Sequence, residues 1–214
     1  MQLGPIRSFA LKALLWLPLS FVLWFAFAPF LVWPALLLAK PVLLGAWGDI
    51  FTAASLGGEM HDASGRVLSH AGYLVSLTSV PVQIPAGPGS PGGLGELQPT
   101  INPMIYGYAL PLFAGLAMAT PVSGRRRSVQ FALALMLIWL AQAFGILAEG
   151  IKVLAFDAGE PGAALAARSG LAPDVIALAY QLAYLILPAV LPVALWIGLN
   201  RRFIESLVDR GGNP

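Results

Sequence analysis

Gln142, Gly145, Glu149 and Lys152 recur at intervals of three, four and three residues, so one helix face carries an amide, a carboxylate and an ammonium. Such a face can bind a partner or peptide, line a site in a membrane enzyme or small-molecule carrier, or close a Glu149–Lys152 pair that ends the helix. Tyr180, Gln181 and Tyr184 sit in a later apolar run, just before Pro188 and Pro192. Two prolines four residues apart loosen a helix and free carbonyls, which leaves room for a substrate cavity. Gln142 and Gln181 are predicted to reach similar depth in antiparallel neighbours, where paired amides hold helices together.

His61 and His70 lie nine residues apart with Glu59 and Asp62 nearby. A catalytic zinc site wants three protein ligands, and no H-E-x-x-H pattern fixes them on a helix. The histidines therefore read as exposed or as hairpin packing, and no metal is assigned. The chain has no cysteine, which excludes disulfides, thiolate ligands and a cysteine nucleophile. Neither a Gly-x-Ser-x-Gly nor a phosphate-binding glycine loop occurs, so no catalytic residue and no cofactor is assigned.

These groups must be positioned by elements in a membrane. Of 214 residues, 58% are hydrophobic and 10% charged, too few charges to coat a water-soluble globule of this size. Uncharged apolar runs long enough to cross about 30 Å of hydrocarbon cover 13–39, 101–122, 128–148 and 175–200. The first carries Pro18, Pro29 and Pro34, so it is expected to break near Phe30 and continue as a second helix over 35–51. Ala26-Phe27-Ala28 resembles a signal-peptide cleavage site, but Pro29 would follow the cut and the apolar run continues, so the segment is expected to stay.

Charge decides whether 35–51 crosses. With four crossings, Arg7, Lys12, Arg125, Arg126, Arg127, Arg201, Arg202 and Arg210 share one side with two acids. The other side holds four basic and eight acidic residues. A fifth crossing would put the arginine triplet opposite Arg7. Segment 35–51 is therefore predicted to lie at the interface with Trp33 and Trp47 as anchors. The triplet reads as a topology signal, and nucleic acid is not an expected partner.

The long polar stretch follows. Residues 59–84 are rich in Val, Leu, Ser, Thr and Tyr, and Asp62-Ala63-Ser64-Gly65 is a plausible turn, predicting a small hairpin or meander. Tyr73, Val75 and Leu77 share a strand face, continued by Val80 and Val82 around Pro81. Unpaired backbone at the edge of such an element accepts an extended peptide, so these five residues are the partner-binding candidates. Segment 85–95 reads as a Pro/Gly linker. Asn102-Pro103 caps the next span, Tyr106 and Tyr108 read as belt aromatics, and Pro111 interrupts that helix.

The strings LLWLPLSFVLWF at 14–25, INPMIYGYALPLFAGL at 101–116 and IALAYQLAYLILPAVLPVALWIGLNRRF at 176–203 resemble the exosortase H-associated integral membrane proteins. The resemblance implies a bacterial inner-membrane accessory of a protein-sorting system, with an exosortase or a sorting substrate as partner beside membrane lipid. The family carries no established catalytic residues to transfer. Exosortases use a cysteine that this chain lacks, so it is not itself the sorting enzyme by that chemistry.

The expectation is an all-α membrane protein of four transmembrane helices, an interfacial helix and a small extracytoplasmic β element. It divides as 1–34, 35–100 and 101–214, with both termini cytoplasmic. The function expected is non-enzymatic binding through the outer face; the alternative is an enzyme or carrier with a polar site between the third and fourth spans.

Overall fold

The computed structural model describes residues 4–61, 66–86 and 92–211. Helix α1 (Pro5–Ala26) starts with proline in its first turn, where no donor is lost, and runs through Pro18 to a break at Phe27. Helix α2 (Ala28–Lys40) begins at once, accommodates Pro34, and continues as a π-helical turn over Pro41–Ala46. The 35–51 helix is thus not a separate element. Pro29 falls in the first turn of α2, where it is tolerated, so the break precedes it. Four helical stretches are long and apolar enough to cross a membrane: Ile6–Ala26, Ala28–Ala46, Gly124–Asp157 and Pro173–Leu199. Met104–Ala119 is apolar but shorter, so the stretches of spanning length are not the set read from apolar runs.

Strand β1 (Phe51–His61) opens where that second helix was expected to close, and pairs antiparallel with β2 (Val67–Ser79). The hairpin is longer than predicted, and the 62–65 turn lies outside the described residues. Strands β3 (Val82–Ile84) and β4 (Gly93–Gly95) form a two-stranded ribbon; β4 occupies the end of the segment read as a linker. Strand β5 (Thr100–Ile101) completes a three-stranded sheet ordered β1-β2-β5. Its inner face, Ala54, Val75, Leu77 and Ile101, is buried. Gly150 lets the sheet approach closely: a Cβ there would stand 2.8 Å from Leu77.

The remaining helices are α3 (Met104–Gly107), α4 (Ala109–Ala119), α5 (Gly124–Lys152) with a π turn over Val153–Asp157, α6 (Gly159–Ala167), α7 (Pro173–Gln181), a π turn over Leu182–Ile186, α8 (Leu187–Leu199) and α9 (Arg201–Gly211). Two cores result. The larger joins α2, the sheet, the far half of α5, α6 and α7; the smaller joins α4, the near half of α5 and residues of α8. The start of α1, the α4–α5 junction and the α8–α9 junction meet at one end. There the Phe9 ring lies 5.6 Å from Trp196 and 5.5 Å from Phe203.

Candidate functional site

Asn102 accepts a hydrogen bond from the Met104 amide at 3.1 Å and starts α3. Proline at 111 cannot donate to the carbonyl of Gly107, and the helix breaks at Tyr108 before α4 begins. Short α3 then lies on α5. Gln142 Nε2 donates to the Pro103 carbonyl at 3.0 Å, and the Tyr106 hydroxyl donates to Glu149 Oε2 at 2.9 Å. Gly145 between them makes room: any Cβ there would collide with the Tyr106 ring. Gly107 faces Gln142 for the same reason, since a Cβ would come within 2.6 Å of Nε2.

The Gln142, Gly145, Glu149 face is therefore used, but its partner is α3. Gln142 is buried on Pro103 while Gln181 is exposed, so the expected pairing of the two amides is not formed. The Glu149–Lys152 pair is also replaced. Lys152 Nζ reaches Asp157 Oδ2 at 2.6 Å, because the wider π turn brings residues five apart onto one face. Lys152 Nζ also stands 5.2 Å from the centre of the Tyr180 ring, within cation–π range. Tyr180 stacks on Tyr184 at 5.7 Å and 3°, across the start of the second π turn. Tyr184 is 42% exposed, so the stack opens outward.

Tyr106 is the residue that sequence reasoning misplaced. It is buried in the bundle, 1% exposed, where a belt aromatic was expected. The available signal was Gly145, whose missing side chain implied a close neighbour.

The five partner-binding candidates fare differently from their expectation. Val75 and Leu77 are fully buried on β2, the central strand, and cannot present side chains to a partner. Tyr73 packs against Phe25 at 6.2 Å, and Val80 and Val82 lie half-buried against the larger core. Of the two edge strands, β1 is the long one, since β5 has only two residues. The register of β1 slips between Phe51 and Ala53, Leu56 and Gly58, and Met60 and His61, which leaves 53–56 and 58–60 as regular stretches, 53–56 the longer. Ala53 and Ser55 are exposed there. The register sets His70 opposite Glu59 and His61 opposite Val67, so the histidines are not cross-strand partners. Among the described residues, no group of three or more His, Asp or Glu could hold a metal ion.

At the opposite end, polar side chains close helix termini. Arg126 donates to the Leu199 carbonyl at 2.7 Å and Arg127 to the Thr120 carbonyl at 3.0 Å, each a cation at the negative end of a helix. Buried Gln130 donates to Asn200 Oδ1 at 2.9 Å, and Trp196 Nε1 donates to Thr120 Oγ1 at 2.9 Å.

The model of one family, described as exosortase H-associated membrane protein, matches residues 3–203. The chain belongs to that family. No curated protein and no solved structure matches. The three strings that carried the resemblance all fall inside the matched span, as do both polar ends of this exosortase H-associated protein.

Proposed function

We propose that this exosortase H-associated membrane protein is a non-enzymatic accessory of a bacterial protein-sorting system, binding the sorting enzyme or its substrate through its outer face. The reading rests above all on one observation: an ordered sheet laid on the membrane part of the chain with a free edge at β1. The hairpin lies beside α2, since Leu56 shares a cavity with Pro29, Phe30 and Trp33, and just beyond the ends of the helix Tyr73 meets Phe25 and Phe51 bonds Trp47. A helix with an aqueous-faced sheet along one side and Phe30, Trp33, Leu37 and Leu38 exposed on its surface suits the interface better than the bilayer interior. The outward side of that sheet is polar, with Ser55 exposed and a cavity of about 410 Å3 lined by Glu59, Ser76, Gln98 and Thr100.

An extended segment of the partner adds beside 53–56, where main-chain groups give affinity and register. The test is co-purification from membranes. Ala53→Lys with Ser55→Lys places two charges on exposed positions of the free edge and is expected to abolish partner recovery without loss of folded protein. Unchanged recovery removes the reading. The orientation that goes with it puts both termini and the arginine triplet in the cytoplasm of the inner-membrane-bound chain. Reporters fused after Pro214 and between Gly124 and Arg125 should report the same side.

One observation favours the alternative of an enzyme or carrier: Glu149 is bonded to a tyrosine hydroxyl instead of a cation, beside a stacked tyrosine pair that opens outward. Glu149→Gln and Gln142→Leu variants that fold and support sorting normally would end it.

A further inference from the structure

We propose that the end of the bundle opposite the sheet holds the phosphate group of one anionic phospholipid, in a pocket between α1, the α4–α5 junction and the start of α9. The pocket has a volume of about 160 Å3 and is lined by Ser8, Phe9, Lys12, Ala119, Pro121 and Phe203. Its chemistry is that of a phosphodiester cradle: an ammonium, a hydroxyl and an aromatic floor, with the Phe9 and Phe203 rings 5.5 Å apart.

The described basic residues of this end divide into two groups. Arg126 and Arg127 bond helix-terminal carbonyls. Arg7, Lys12, Arg125, Arg201 and Arg202 are exposed and, among the described residues, form no ion pair or side-chain hydrogen bond. The second group is therefore available to a ligand, and Lys12 is the member that lines the pocket. Next to it, α9 opens with Phe203 and Ile204 half-buried and Arg201, Arg202 and Glu205 exposed. Apolar side chains turned inward and charged ones outward suit a helix start lying in the headgroup plane. Acyl chains leaving the pocket meet α1, whose Leu11, Leu14 and Leu15 are more than half exposed. A free phosphate ion would satisfy Lys12 and Ser8 but leave this apolar exit unused.

The full chain purified in a neutral detergent is offered phosphatidylglycerol or phosphatidylcholine, and lipid retention is read by native mass spectrometry. One phosphatidylglycerol retained in preference to phosphatidylcholine is expected. Lys12→Gln should weaken that retention about fivefold, the scale of one cation at an anionic membrane surface. Ser8→Ala should weaken it less, and Lys40→Gln, which removes the same charge outside the pocket, should leave it unchanged. Equal retention of both lipids overturns the proposal, as does an equal loss with Lys40→Gln, which would mean attraction by net charge alone. Displacement of the lipid by excess inorganic phosphate would make this a phosphate-ion site and likewise overturn it.

Discussion

The two ends of the bundle use polar side chains in opposite ways. At the basic end, Arg126, Arg127, Gln130, Trp196 and Asn200 tie off the ends of α4 and α8, so the polar atoms are consumed in closing helices. At the sheet end, Gln142, Glu149 and Lys152 hold separate elements to α5, and the tyrosine stack remains open to the outside. The first arrangement needs no other molecule to be complete, apart from the unpaired cations around Lys12. The second holds α3 and α7 on α5 and so builds a platform.

The comparison breaks most readily at Tyr106. Because its ring fills the space left by Gly145, Tyr106→Ala should destabilise the folded protein in detergent by about 3–5 kcal/mol, the scale of deleting a buried aromatic. Thermal unfolding followed by size-exclusion chromatography would measure it. Gly145→Ala is expected to cost about 1–3 kcal/mol through overpacking of the same contact. If either proved neutral, α3 would not be the element that couples the sheet end to α5. Asn200→Ala at the other end should cost about 1 kcal/mol, in line with buried amide hydrogen bonds inside membranes. The double variant Gly145→Ala with Asn200→Ala should be additive within about 0.5 kcal/mol, since the sites share no partner. Strong coupling would mean that the two ends are one unit.

How much of this was legible follows from the kind of signal each region carries. The hydropathy runs gave the α7–α8 span, read as 175–200, close to its observed Pro173–Leu199, and found the α5 span but closed it at 148, well before the observed end at Asp157. The helical period gave the Gln142, Gly145, Glu149 face, because 3.6-residue spacing survives any choice of partner. The partner itself was not legible: whether a small residue faces α3 or α7 depends on where the chain between α4 and the sheet turns back. The first part of strand β1 was missed because Phe51-Thr52-Ala53-Ala54-Ser55 lacks the β-branched alternation that marks a strand, and its pairing with β2 is what makes it one. Likewise Val75 and Leu77 were read correctly as sharing a strand with Tyr73, but periodicity does not reveal that β5 would cover the other side of β2.

The smallest effect is the most discriminating between the two functional readings. Lys152 and Asp157 are 27% and 49% exposed, so their attraction is screened by water and the pair contributes little to stability. Lys152→Met should therefore change the unfolding temperature hardly at all, by less than about 0.5 kcal/mol in free energy. It also removes the cation above Tyr180 and bares the tyrosine stack. If the stack is part of a docking surface, partner recovery should fall while thermal stability stays level. If it lines a polar site between helices, sorting should fall while partner recovery stays level. A variant altered in neither would confine the functional surface to the edge of β1, where the Ala53→Lys, Ser55→Lys pair acts.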